Sequence, residues 1–162
     1  MNIMKEKEIT IHIREYLLNE LDREALRLVE EARKATEDAY APYSAFRVGA
    51  ALLLENGEII TGNNQENAAY PSGLCAERVA VFYAGARYPD VPIVALALTA
   101  RRPDGFTEEP AYPCGACRQV LLEAENRGGK PVRIIMAGRS KADVVTSVKE
   151  LLPKNFDSRF LK

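Results

Sequence analysis

Histidine, the side chain most often used as a metal ligand and general base, occurs once in this chain, at His12, and tryptophan is absent. Cysteine is nearly as scarce, at Cys75, Cys114 and Cys117 only. An odd number of thiols cannot pair completely into disulfides, so a disulfide-stapled secreted scaffold is excluded and a reduced, cytoplasmic chain is expected. Neither sign of charge prevails, since 22 Lys and Arg stand against 23 Asp and Glu for a formal net charge of -1. A chain so balanced carries no electrostatic footprint for DNA, RNA or an anionic membrane, so no nucleic-acid or membrane partner is expected. No apolar run reaches the roughly 20 residues that a bilayer requires. The opening MNIMKEKEIT lacks the apolar stretch of a signal peptide. Repeats and low-complexity linkers are missing too. What remains, 162 residues of which 47% are hydrophobic, suffices for one ordinary core and leaves no room for a second domain of typical size.

The one compositional break lies near residue 20. Ahead of it, Ile9, Ile11 and Ile13 alternate with Thr10, His12 and Arg14, a short period-2 pattern. Residues 1–20 therefore read as an N-terminal extension, an edge strand or an interface arm, and residues 21–162 as a single domain. From Asp22 the pattern is helical, with Leu21, Ala25, Leu28, Ala32, Ala35 and Ala39 on one face and Ala41-Pro42 as the stop. Strands are expected at Phe46–Leu54 and Glu58–Thr61 around an Asn56-Gly57 turn, then at Ile93–Thr99, Val132–Met136 and Val144–Thr146. Helices are expected at Cys75–Ala86 and at Cys114–Asn126, where Gly128-Gly129 ends the second. The proline-rich stretch Arg101–Pro113 reads as a loop, and Ser147 with Glu150 as the capping box of a short last helix. Strands alternating with helices indicate an α/β layered domain.

All three cysteines fall where a helix begins. Cys75 opens one, and the C-x-x-C of Cys114 and Cys117 fills the first turn of the other. A helix N-terminus lowers a thiol pKa, and thiolates are what zinc binds. Buried apolar cysteines or a redox C-x-x-C are the competing readings, but the second gives Cys75 and Glu77 no role. A closed structural zinc site takes four protein ligands, whereas a catalytic one takes three and keeps a position open. With His12 in the poorly patterned arm, three thiols leave the site open by subtraction. Glu77 would then lie close to the metal without binding it, placed to move a proton. Zinc with three thiolates carries a net negative charge, which Arg78 and the two helix N-termini would offset.

The segments C-A-E-R (Cys75–Arg78) and P-C-G-A-C-R-Q (Pro113–Gln119) resemble the cytidine deaminase family, with cysteine in place of the usual histidine of zinc deaminases. Y-S-A-F-R-V-G-A-A (Tyr43–Ala51), N-Q-E-N (Asn64–Asn67) and E-L-L-P (Glu150–Pro153) extend the likeness from about Leu21 to Phe156. The resemblance is to the small, three-cysteine, homotetrameric branch. It implies a three-layer α/β/α sandwich around a mixed five-stranded sheet. It implies one zinc ion per subunit, held by Cys75, Cys114 and Cys117, with Glu77 carrying the proton to ring N3 and then to departing ammonia. Asn64 and Glu66 match positions that grip the ribose hydroxyls, Phe46 one that lines the base pocket, and main-chain groups at Ala76 would meet the pyrimidine edge. Phe156, with Phe160 as a second candidate, matches an aromatic residue that reaches a neighbouring subunit's site. The implied activity is hydrolytic deamination of cytidine and deoxycytidine to uridine and deoxyuridine in pyrimidine salvage. The alternatives are an aminohydrolase of the same fold acting on a modified nucleoside such as blasticidin S, or a non-catalytic structural zinc protein.

Overall fold

A computed structural model describes residues 4–161 of the protein. Seven strands form one sheet: β1 (Arg14–Leu17), β2 (Arg47–Leu54), β3 (Ile59–Asn63), β4 (Ile93–Arg102), β5 (Gly105–Phe106), β6 (Arg133–Ala137) and β7 (Lys141–Val145). They lie in the order β1-β7-β6-β4-β2-β3, with β5 paired to the end of β4. Every pair is antiparallel except β4 with β6, which makes the sheet mixed. Three helices, α1 (Arg23–Ala35), α2 (Ala76–Arg87) and α3 (Gly115–Gly128), cover its two faces.

Side-chain alternation along the strands builds the layers. Leu52, Leu54, Leu96, Leu98, Ile134 and Met136 point to one face and are buried with Ala80, Val81 and Ala84 of α2 and Leu121 and Leu122 of α3. Ala51, Leu53, Ala95, Ala97, Ile135 and Ala137 point to the other, where α1 packs through Ala25, Leu28, Val29 and Ala32. The expected α/β/α sandwich is present, and its α1 face is lined largely by alanine. Small side chains there let the α1 backbone come close to the sheet. A Cβ on Gly49 of β2 would lie 2.0 Å from the Ala32 carbonyl oxygen.

The strand count differs from expectation. Five of the seven strands, β2, β3, β4, β6 and β7, correspond to the runs read from the sequence. β5 forms inside the proline-rich loop because Gly105, at φ 127°, turns the chain back onto Arg101 and Arg102 and lengthens β4 past Thr99. β1 is not the isoleucine alternation either. Its residues are Arg14–Leu17, and Ile9, Ile11 and Ile13 stay exposed beyond the last pair, Arg14 with Val144. A period-2 pattern makes a strand only where a neighbour offers backbone groups, and β7 ends at Val145.

Asp22 caps α1 as read, accepting the Ala25 N–H at 2.8 Å. The helix ends earlier than expected, at Ala35. The Thr36 hydroxyl donates to the Arg33 carbonyl at 2.6 Å, a tight turn over Thr36–Asp38 follows, and Ala39 is already extended. The last expected helix is a single tight turn, Val148–Glu150, with the Ser147–Glu150 capping box formed. A carboxylate that the pattern did not single out also shapes this end. Glu125 of α3, buried, accepts N–H groups from Val132 (2.9 Å) and Val148 (2.8 Å) and the Ser147 hydroxyl (2.8 Å). It ties α3 to the start of β6 and to the turn after β7.

Two glycines, one packed against α2 and one within it, have opposite sensitivities. A Cβ at Gly62 of β3 would meet the Ala76 carbonyl oxygen at 2.5 Å and the Ala80 nitrogen at 2.7 Å. Gly85, inside α2, has only the Arg127 guanidinium within reach, at 3.7 Å. Gly62→Ala should lower the unfolding free energy by about 1–3 kcal/mol through overpacking. Gly85→Ala should raise it by about 0.5–1 kcal/mol through helix propensity. Urea denaturation of the two variants checks both signs.

Candidate active site

Two helices begin side by side at one end of the sheet. Cys75 is the N-cap of α2 and Cys114 the N-cap of α3, each in extended backbone, and Cys117 sits one turn into α3. No side chain caps either helix, so both sets of free N–H groups and both positive dipole ends face the thiols. The three sulfurs lie within 4.8 Å of one another, with Cys75 Sγ 3.8 Å from Cys114 Sγ and Cys114 Sγ 3.4 Å from Cys117 Sγ. All three thiols are free, so none is committed to a disulfide.

That spacing suits zinc. Tetrahedral ligands with Zn–S bonds of about 2.3 Å stand about 3.8 Å apart. The thiol pair also shows why a cation is needed. The hydrogen bond from Cys117, followed by those from Arg78 and Cys114, pulls the Cys75 thiol below its ordinary range despite burial. The same contact with Cys75, together with burial, pushes Cys117 up. Without a cation, one thiolate forms at its neighbour's expense. His12 lies outside the cluster, so the fourth side carries no imidazole.

Glu77, two residues after Cys75, is 4% exposed, and its burial pushes the carboxyl up to about 6, with the negative charge at Cys75 adding to the effect. Arg78 reaches the cluster from the same turn, its Nη2 3.6 Å from Cys75 Sγ. Its Nε is buried with no partner among the described residues.

The thiols open onto a cavity of about 520 Å³, within the range of small-molecule sites. Phe46, Asn64, Glu66, Cys75, Glu77, Arg78 and Cys114 line it, together with Val48 and Leu98. Cys117 is buried beneath the wall. Ala76 is fully buried in the first turn of α2 and is not part of the lining. Phe156 is also absent from it. Its ring, 56% exposed, stacks on Phe160 at 5.5 Å, while its carbonyl accepts from Gln119.

Asn64 and Glu66 are both tied to the segment that carries Phe46. The Asn64 amide donates to the Phe46 carbonyl (2.9 Å) and accepts the Val48 N–H (2.8 Å). Glu66 accepts the Tyr43 N–H (2.9 Å), the Ser44 N–H (3.3 Å) and the Ser44 hydroxyl. These bonds, that of the Ser44 hydroxyl foremost, hold the Glu66 carboxyl below its ordinary range. They also fix a turn in which Ala45 has φ 53°, a conformation that costs a non-glycine residue on the order of 1 kcal/mol. Each polar group keeps capacity for a ligand: one N–H and one lone pair on Asn64, one lone pair on Glu66.

Ser44, Tyr70 and Tyr112 are among the lining residues not singled out from the sequence. Ser44 is the partner of Glu66 just described. Tyr70 meets Tyr43 edge to face at 6.2 Å between ring centroids. Tyr112 donates its phenol hydrogen to Asp143 of β7, a bond that pushes its pKa up to about 12. Its one sequence signal is an aromatic residue immediately before P-C-G-A-C.

Metal content tests the cluster. His12→Ala should keep one zinc per chain by elemental analysis, whereas Cys75→Ala and Cys114→Ala should each lose it. Zinc removal by a chelator should lower Tm, because the metal binds the folded thiol cluster and not the open chain.

Comparison with known proteins agrees with this geometry. The family profile described as the cytidine and deoxycytidylate deaminase zinc-binding region matches residues 22–128. A cytidine deaminase of Sporosarcina psychrophila is 46% identical over 139 residues, covering 83% of this chain and 93% of its own. One from Halalkalibacterium halodurans is 43% identical over 140 residues, covering 84% and 95%. The crystal structure of cytidine deaminase from Burkholderia pseudomallei superimposes with a TM-score of 0.67 at 39% identity, over 80% of this chain and 97% of that one. The cytidine deaminase of Mycobacterium tuberculosis gives 0.64 at 34% identity, over 85% and 99%. Sequence profile, relatives and fold agree that the chain belongs to the cytidine and deoxycytidylate deaminase family and has a zinc site at its three cysteines.

Proposed function

We propose that the protein is a zinc-dependent cytidine deaminase, converting cytidine or deoxycytidine and water into uridine or deoxyuridine and ammonia. The observation that carries this reading is the three-thiol cluster on the wall of a nucleoside-sized cavity, with Glu77 buried beside it and no fourth protein ligand among the described residues. The relatives act, by name, on cytidine, which favours the unmodified nucleoside over one of the blasticidin S type. A structural zinc protein would need neither the open side nor Glu77.

Cys75, Cys114 and Cys117 hold the zinc, whose chemistry when bound is to make water nucleophilic near neutral pH. Glu77 would carry one proton of the attacking water to ring N3 as the water oxygen bonds to C4, and a second to the amino group as its bond to C4 breaks and ammonia leaves. Its burial suits both halves of the task, since a carboxyl drawn toward neutral pH gains and loses a proton readily. Arg78 offsets the excess negative charge of three thiolates, supported by its contact with Cys75. Asn64 and Glu66 offer their remaining donor and acceptors to the ribose hydroxyls, and Phe46 forms the apolar wall for the base. For the main chain at Ala76, buried behind the lining, a contact with the pyrimidine edge rests on the family resemblance alone. Phe156, exposed and outside its own cavity, completes the site of a neighbouring subunit in a homotetramer. No helix among the described residues is long and apolar enough to cross a membrane, and the reading places the enzyme in the cytoplasm, in pyrimidine salvage.

Glu77→Gln should fold and retain zinc but lose about 10²–10⁴-fold or more in kcat, read from the ultraviolet change as cytidine is consumed. A variant with native turnover would remove Glu77 from the mechanism. If Phe156 serves a neighbour, activity per subunit should fall on dilution through the dissociation range, and Phe156→Ala should raise KM without changing zinc content. Activity that stays constant while the particle mass falls would exclude that role.

A further inference from the structure

The segment ahead of β1 takes no part in the site. Residues 4–13 have no regular structure, and Ile9, Ile11 and Ile13 are 49%, 45% and 43% exposed. They precede residue 22, where the family match begins. β1 itself is an edge strand. β7 lies on one side of it, and among the described residues no strand lies on the other. The Leu18 N–H donates to the Ser140 carbonyl at 3.0 Å, next to the pair Leu17 with Lys141. Backbone groups alternate sides along a strand, so Arg14, Tyr16 and Leu18 address β7 while Glu15 and Leu17 face outward. The Leu17 N–H is taken by Glu20 Oε2 at 2.8 Å. Continued at the strand period, Ile13, Ile11 and Ile9 would fall on the side of Glu15 and give an open edge with an apolar stripe on one face.

We propose that this edge is completed by the same segment of a second copy of the chain, with the two arms antiparallel and centred on Ile11. In that register Ile11 faces the partner's Ile11 and Ile9 faces the partner's Ile13. Glu8 then faces the partner's Arg14, and Lys7 the partner's Glu15, each pair occurring twice by symmetry. Odd residues meet odd residues, as the outward backbone groups of Glu15 require. Six isoleucines share one face, bounded at both ends by Lys–Glu pairs, with Glu15 also 3.4 Å from Lys141 of its own chain. β-branched and opposite-charge cross-strand pairs each contribute about 0.2–1 kcal/mol. Neighbouring registers lose the match. Centring on Thr10 sets Lys7 against Ile13, and centring on His12 sets Glu15 against Ile9. The self-complementary charge pattern selects a second copy over an unrelated strand as the occupant.

Cysteine cross-linking tests the register without reference to turnover. In zinc-loaded protein under a mild oxidant, Ile11→Cys should form a covalent dimer on a non-reducing gel. Facing Cα atoms of a hydrogen-bonded pair stand about 5.5 Å apart, within disulfide range. Ile9→Cys, similarly exposed, should cross-link at least about tenfold more slowly, because the two copies of residue 9 stand four positions apart, roughly 13 Å. In the Ile11→Cys background, Glu8→Lys and Arg14→Glu should each slow cross-linking roughly tenfold, and the two together should restore it. Zinc content and cytidine turnover should stay native in every variant. Equal rates for Ile11→Cys and Ile9→Cys, or a double charge reversal no faster than the single ones, would overturn the proposal.

Discussion

Three sulfurs held within 4.8 Å of one another cannot all ionise unless a cation lies among them, and this demand organises the functional end of the molecule. The fold meets it by starting α2 and α3 side by side, so that the free N–H groups of both helices face the thiols. Arg78 adds a full positive charge from the first turn of α2. Each contribution favours thiolate, and together they make a site whose affinity for a soft divalent metal is built in before the metal arrives. Metal binding and folding are therefore coupled, since the cluster exists only when both helices are docked on the sheet.

Docking depends on the unequal faces of that sheet. The face under α2 and α3 is filled by leucine, isoleucine and methionine, and the face under α1 largely by alanine. On both sides a glycine marks the closest approach, Gly49 beneath α1 and Gly62 beneath the first turns of α2. Gly62 matters for the chemistry because the carbonyl that rests on it belongs to Ala76, between Cys75 and Glu77. Arg118 fixes the other helix, donating to the Pro113 carbonyl ahead of Cys114 and to the Leu151 carbonyl near the C-terminus, both at 2.8 Å. Thiol spacing is thus set by backbone contacts some distance from the sulfurs.

Chemistry that is local in sequence was legible there. The C-x-x-C, the glutamate two residues after Cys75 and the helix starts at Cys75 and Cys114 follow from spacing and local composition, as does the hairpin at Asn56-Gly57. What joins Cys75 to Cys114 is topology: the two lie 39 residues apart, and only the path from α2 through β4 to α3 brings them together. The Tyr43–Phe46 turn is another long-range product, because it is stabilised by Glu66, more than 20 residues on. Glu125 was unreadable for the same reason, its partners being Val132, Ser147 and Val148. The isoleucine alternation shows the converse. The pattern is as clear as in any buried strand, yet β7 stops short of it and no strand among the described residues pairs with it.

Two carboxylates share the cavity, and their surroundings push them in opposite directions. Glu66 lies at the exposed rim, where the Ser44 hydroxyl and two backbone N–H groups stabilise its charge. Such a group is a fixed acceptor over the whole range around neutrality, suited to hold a hydroxyl and unsuited to move a proton. Glu77 is buried beside a negatively charged sulfur, and both conditions favour its protonated form. A zinc ion among the thiolates would oppose the second influence and leave the first, so the bound metal itself would help set the proton affinity of Glu77. Environments that separate two identical side chains in this way fit the two roles proposed for them, one positional and one in proton transfer. The difference lies in position and not in residue type, because burial at the first turn of α2 and the Ser44 turn at the rim are set by the backbone.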